Sequence, residues 1–315
     1  VIHMKKLSAI FVVLVVLLSL PMVASVQQRH GIDYSKPLYA EDVKIGHKIT
    51  VDYIPKAGGF RGGRGGGTST TTAATGILGA PVEGEKYAIV IGIADYPGTS
   101  SDLQYTDDDA QLVYDTLINV YGFKPENIIF LLNMDASFYN IYNAVMELKS
   151  KVQPGDEVVF YFSGHGSTGR ADDGDDEVID EAIVTHDGNP DGSFILIWDG
   201  QLRAWFEDFP TDRIIFIFDS CYSGGMTDLA AEGRIVVMAS GEREFSLESA
   251  EWEHGQFTYY FFLEGINYGY ADVYDHDGDP STPDVTVEEA FDYTLANCEQ
   301  QTPVIADGFT NDLLP

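Results

Sequence analysis

The chain has 315 residues, 50 of them acidic and 18 basic, for a formal net charge of −32 at pH 7. A charge of that sign and size repels nucleic acid and anionic membranes, which excludes both as partners, and it suits divalent cations outside the cell or a salty medium. Two cysteines make no disulfide framework, and the roughly 230 residues beyond position 84 are enough for one well-buried core.

The first element is not part of the fold. From Met4, two lysines precede an apolar run, Leu7 to Leu20, and Val23-Ala24-Ser25 offers small residues for cleavage. Residues 1–25 therefore read as a secretory signal peptide, with Val1 to His3 upstream of the true start. The run is short for a spanning helix, which favours cleavage over a retained anchor. The expected product is secreted or held at the cell surface, carries no membrane segment after cleavage, and is a monomer.

Residues 26–84 divide in two. Strand-like alternation in HKITVDYI, ending at Ile54, adds a hairpin or packs as a pro-segment. Ala57 to Gly79, containing GGFRGGRGGGTSTTTAATG, is a flexible linker by composition. Arg61 and Arg64 lie unprotected in it, either as parts of a plain tether or as a processing site.

The domain proper, residues 85–315, alternates strands and helices. Strand Lys86 to Asp95 leads through LQYTDDDA to a helix, Gln111 to Tyr121, stopped by Gly122. Strand Ile128 to Leu132 and an amphipathic helix, Tyr139 to Val152, follow, and Pro154-Gly155 turns the chain into EVVFYF, Glu157 to Phe162. That run and Ile214 to Phe218 (IIFIF) have no polar interruption, as expected of parallel strands buried on both faces. Ile235 to Ala239 adds a strand, and His254 to Ile266 and Val287 to Asn297 add helices. The fold class is α/β, a three-layer sandwich with a mostly parallel central sheet.

The two buried runs end in chemistry. One stops at Ser163-Gly164-His165-Gly166 and the other at Asp219-Ser220-Cys221, at the strand ends where open α/β sheets bind ligands. An imidazole beside a thiol activates it as a nucleophile, and adjacent glycines let a substrate approach and free an N–H for an oxyanion. Taken singly, Cys221 reads as a small buried residue and His165 as a loop histidine; the pair reads as catalytic. His254 has no buried strand before it and reads as a surface residue. Cys298, in a helical segment, reads as buried and unbonded.

SGHG after one strand and DSCYSG after a later one resemble the caspase-type cysteine peptidases, and most closely the metacaspase branch, over about Tyr87 to Phe262. His165 precedes Cys221 by a little over 50 residues, close to the roughly 50 of caspases, although the caspase Gln-Ala before the Cys is replaced here by Asp219-Ser220. The resemblance implies a caspase/hemoglobinase-like fold and a cysteine endopeptidase. In it Cys221 attacks the scissile carbonyl, His165 protonates the leaving amine, and the N–H groups of Gly166 and Cys221 bind the oxyanion. It also implies that Asp109, at the Asp of Leu-x-x-x-x-x-Asp-Ala, and Asp219 line the primary specificity pocket. Two acids there select Lys or Arg, and thus proteins or peptides with basic residues as substrates. The alternatives are that Asp107 to Asp109 cap the helix and that Asp219 binds loop N–H groups. The related legumain-like enzymes carry Glu in place of Asp219 and cut after Asn, and clostripain-like ones share the Asp.

Calcium is the implied cofactor, with no organic cofactor. The family's site falls here on Asp180, with Asp176 beside it, on Asp199, and on Asp228, seven residues past the nucleophile; Gly200 departs from the expected second Asp of a pair. A solvated acidic loop is the bland alternative. Asp275-His276-Asp277-Gly278-Asp279, with Glu289 in a closing position after the insertion PSTPD, resembles part of an EF-hand-type calcium loop, or is an acidic turn. A catalytically silent calcium-binding surface module is the rival of a different class.

Overall fold

The computed structural model describes residues 31–51, 72–175 and 177–315. The expectations for residues 1–25, for Arg61 and Arg64, and for Asp176 lie outside the described residues. Among those described, no helix is long and apolar enough to cross a membrane.

The uninterrupted apolar runs become the middle of a six-stranded sheet. Its strands are β3 (Lys86–Gly92), β4 (Ile128–Leu132), β5 (Glu157–Ser163), β9 (Ile214–Asp219), β10 (Arg234–Met238) and β13 (Val304–Asp307). Their order is β13-β10-β9-β5-β3-β4, all parallel except β13, which pairs antiparallel with β10. Successive side chains of a strand face opposite sides, so a both-face-buried strand feeds two cores. Phe160, Phe162, Phe216 and Phe218 enter one core with α2 (Phe138–Lys151) and α3 (Asp199–Phe206). Val159, Tyr161, Ile215 and Ile217 enter the other with α1 (Thr106–Asn119), the Phe261-Phe262 stretch and α5 (Val287–Asn297). α4 (Gln256–Thr258) runs on as a π-helix, Tyr259–Asn267.

Two smaller sheets stand beside it, one of which draws on the strand-like HKITVDYI stretch and places His254 and Gly255, expected to open a helix, in a short strand. β6 (Gly166–Ala171), β7 (Asp180–Gly188) and β8 (Phe194–Trp198) form an antiparallel sheet whose outer strand is β1 (Ala40–Gly46), in the order β1-β6-β7-β8. β2 (Ile49–Thr50) pairs with β11 (Leu247–Ser249), which pairs with β12 (His254–Gly255). The N-terminal segment is thus bound at both ends of a short span, residues 40–50. α5 opens on a capping box in which the Thr286 side chain accepts from Glu289 N and the Glu289 carboxylate accepts from Thr286 N.

Candidate active site

Register places the two functional strand ends side by side. Ser163 of β5 pairs with Asp219 of β9, so His165 and Cys221 each lie two residues beyond a paired position on neighbouring strands. Gly166 lies so close to Cys221 that a Cβ there would collide with the Cys221 carbonyl oxygen; only glycine allows this approach. Tyr222, directly after Cys221, holds a left-handed backbone at φ 60°, a conformation that costs a residue with a Cβ about 1–3 kcal/mol.

His165 is oriented by main-chain and phenol groups that have no sequence signature. Its Nε2 lies 2.7 Å from the Ser101 carbonyl oxygen, and its backbone N–H donates to Tyr96 Oη at 2.9 Å. Nε2 is thereby committed, which leaves Nδ1 for chemistry. Burial lowers the imidazole pKa to about 4, against the pull of the Ser101 carbonyl. Burial likewise pushes the Cys221 thiol up, offset in part by the Ser246 N–H, which donates to Sγ at 3.3 Å. The resting pair is therefore a neutral imidazole beside a protonated thiol.

The pocket beneath it is doubly acidic. Asp219 Oδ2 accepts from Thr258 N at 3.1 Å and from Thr258 Oγ1 at 2.7 Å, while Oδ1 lies 2.9 Å from Lys48 Nζ. Asp109 Oδ2 accepts from Ser163 Oγ and lies 3.6 Å from the same ammonium; its Oδ1 accepts from Gly255 N at 2.9 Å. Asp109 makes no helix cap, and both carboxylates are fully buried. Burial would lower the Lys48 pKa, but Asp219 and Asp109 outweigh it and hold the ammonium above its ordinary range. His254, read from sequence as a surface residue, is instead a pocket wall: its side chain is 14% exposed and Nδ1 lies 3.1 Å from Asp109 Oδ1. At Gly255 a Cβ would come within 2.8 Å of Lys48 Nζ, so a side chain there would fill the pocket.

The acidic loop forms a separate cluster. Asp180 and Asp199 converge with Asp173 and Asp175, which sequence reasoning missed, with one carboxylate oxygen from each lying within 4.8 Å of the others. Both oxygens of the fully buried Asp199, and Asp180 Oδ1, lack a hydrogen-bond partner. Orphaned buried carboxylates facing one another fit a hard cation, which accepts six to eight oxygens. Burial first and then mutual repulsion raise Asp173 to about 7 and Asp199 well above its usual range; burial likewise raises Asp180, to about 6. The second Asp lost at Gly200 is made good from elsewhere, since a Cβ at that position would meet Asp173 Oδ2 at 2.6 Å. Asp228 borders the cluster but pairs with Arg203, whose Nη2 also lies 3.5 Å from Asp175.

In the C-terminal loop Asp275 and Asp277 come together with Asp284, the last residue of the insertion. Asp279 instead accepts from Ser281 N and Oγ. Glu289 is occupied by Thr286 and by the backbone N–H groups of Val273 and Tyr274, so it closes the loop as a hydrogen-bond acceptor. Cys298 is a free thiol at the end of α5.

Comparison with known proteins agrees with this geometry. Residues 86–230 match the family model for the metacaspase, peptidase C14 domain. Metacaspase-4 of Arabidopsis thaliana is 38% identical over 155 residues, covering 47% of this chain and 35% of that protein. Metacaspase-1 of Schizosaccharomyces pombe is 32% identical over 155 residues, 47% of this chain and 36% of that protein. The chain thus spans little more than a third of the length of these relatives. The crystal structure of protein GSU0716 from Geobacter sulfurreducens superposes with a TM-score of 0.54 at 16% identity, covering 73% of this chain and 95% of that one, a likeness of fold alone. Residues 86–230 are thus similar to the caspase-like cysteine peptidases of the metacaspase branch.

Proposed function

We propose that the protein is a secreted cysteine endopeptidase that cuts after Lys or Arg, needs calcium, and processes its own N-terminal region. One observation carries the specificity: beside Cys221, a pocket with two buried carboxylates already holds a lysine side chain, that of Lys48. An ammonium or guanidinium there meets charge-assisted partners, whereas a neutral side chain would leave two buried carboxylates unpaired.

The mechanism follows from the resting protonation states. Cys221 Sγ attacks the carbonyl carbon after the basic residue, and its proton passes to the free Nδ1 of His165. The tetrahedral oxyanion lies against the Gly166 and Cys221 N–H groups, as the family resemblance implies. Collapse breaks the C–N bond, and His165 returns the proton to the leaving amine. Water then hydrolyses the thioester, delivering its own proton through His165. Asp173, Asp175, Asp180 and Asp199 would hold calcium, whose charge would offset their repulsion and order the 172–179 loop. The extracytoplasmic location rests on the Lys5-Lys6 and Leu7 to Leu20 pattern.

The test uses matched reporter peptides with Arg, Lys or Asn before the scissile bond, with calcium, on the full chain and on Lys48→Ala, in which the pocket is freed of its own lysine. Cleavage after Arg and Lys by Lys48→Ala, lost when Cys221→Ala is added to it, is the expected result. Cleavage after Asn alone would replace the specificity reading with the legumain-like one, and cleavage of none would leave a silent module.

A further inference from the structure

The segment that delivers Lys48 also covers the catalytic pair. β1 runs antiparallel along β6 from Ala40, opposite Ala171, to Gly46, opposite Gly166. Gly46 then crosses Cys221, where a Cβ would lie 2.6 Å from the Cys221 Cβ. The ring of His47 meets that of His165 edge-on, with centroids 4.6 Å apart. Lys48 drops into the pocket, and Ile49 and Thr50 leave along β11. Beneath this span Cys221 is 1% exposed and His165 is fully buried, so no substrate reaches either.

We propose that residues 40–51 are an intramolecular inhibitor bound with the chain direction opposite to that of a substrate, so that Lys48 fills the pocket and the Lys48–Ile49 bond escapes cleavage. The proposal rests on the reading of this pocket as the one for the residue before the scissile bond. In a substrate the chain beyond that residue passes over the thiol and imidazole, because the leaving nitrogen must receive the imidazole's proton. Here it is the chain before Lys48, Gly46 and His47, that lies on Cys221 and His165.

The leaving nitrogen of the Lys48–Ile49 bond is Ile49 N. It donates to the Ser246 carbonyl at 3.0 Å, and Val51 N donates to the Glu248 carbonyl at 2.9 Å, so both face β11. His165 has Nε2 on Ser101 and its ring against His47, the residue before Lys48 rather than the one after it. Attack at the Lys48 carbonyl would expel an amide nitrogen that nothing protonates. A chain break beyond Val51 leaves every one of these contacts in place, so processing in the 52–71 region would not by itself clear the cleft.

The experiment measures three things on the full chain and on Lys48→Ala, with calcium present. The first is the rate of iodoacetamide labelling at Cys221, resolved from Cys298 by peptide mapping; we expect at least a tenfold rise in Lys48→Ala, and an unchanged rate overturns the proposal. The second is the effect of a synthetic peptide of residues 38–51 on Cys221 labelling in Lys48→Ala. Protection by this peptide, at least tenfold weaker when its Lys48 is replaced by alanine, is expected, and absence of protection overturns the proposal. The third is the peptide itself: mass spectrometry should find it intact after prolonged incubation, and a product ending at Lys48 refutes reversed binding. Lys48→Arg should label as slowly as the unsubstituted chain, which separates loss of the pocket contact from misfolding. Labelling needs no turnover, so failure of the Lys/Arg reading, seen with the reporter peptides, is distinguished from failure of the inhibitor.

Discussion

Replacing Asp219 by asparagine tests the pocket with little change of shape. Asp219 Oδ2 is pinned by two donors, Thr258 N at 3.1 Å and Thr258 Oγ1 at 2.7 Å. The amide must keep its oxygen there and turn its NH2 to the Oδ1 position, which lies 2.9 Å from the Lys48 ammonium. A donor then faces the cation, and one of two negative charges is gone. Truncating one partner of a buried charge pair costs about 2–5 kcal/mol, and with Asp109 still 3.6 Å from the ammonium the lower part of that range applies. About 2–3 kcal/mol is a loss of about 30- to 150-fold in kcat/KM for Arg or Lys substrates. The assay is kcat/KM for matched peptides carrying Arg, Lys or uncharged norleucine before the scissile bond. Asp219→Asn also loosens Lys48, so the ratio of Arg to norleucine is the quantity to read, because a change in cleft access cancels in it. An unchanged ratio refutes the reasoning.

Two further outcomes follow from the buried acids and the thiol. Asp199 has a raised folded-state pKa, so the folded chain binds a proton that the unfolded chain releases, and calcium-free stability falls as pH rises above about 4. Asp199→Asn should therefore melt higher than the parent at pH 7 without calcium and lose the calcium-induced rise in Tm; a parent-like calcium response would contradict the cluster's role. Because burial raises the Cys221 pKa, alkylation of the unsubstituted chain should be slower at pH 7 than that of a free cysteine peptide and keep rising above pH 9, and a plateau below pH 8 would show an activated thiol.

The sheet was legible because strands buried on both faces leave uninterrupted apolar runs, and Ile128–Leu132 and Val287–Asn297 have the bounds read from sequence. Cys221, His165 and Asp219 stood out as candidates because each lies at or just past the end of such a run, whereas Asp109 was named through the family resemblance. Lys48 was not legible: its ion pairs join positions 48, 109 and 219, and one lysine in a polar stretch carries no periodic signal. Ser101 acts through its carbonyl oxygen, which any residue possesses. His254 was misread because its partner, Asp109, is distant in sequence. Asp173 and Asp175 were hidden among like neighbours, since only folding decides which carboxylates of an acidic loop turn inward.

Tyr34, at the root of the N-terminal segment, has its carbonyl held by Gln201 Nε2 at 2.9 Å and Trp205 Nε1 at 2.8 Å, both on the helix that Asp199 begins. Its hydroxyl lies against Gly174, between Asp173 and Asp175. Ion site and tether therefore share one loop and one helix. If an ion binds the Asp173–Asp199 cluster, thermodynamic reciprocity requires that any factor by which it changes the hold of this segment is the factor by which the segment changes the ion's affinity. A calcium titration of the intact chain and of Lys48→Ala would read that factor from one side, and protection of Cys221 by the 38–51 peptide with and without calcium would read it from the other.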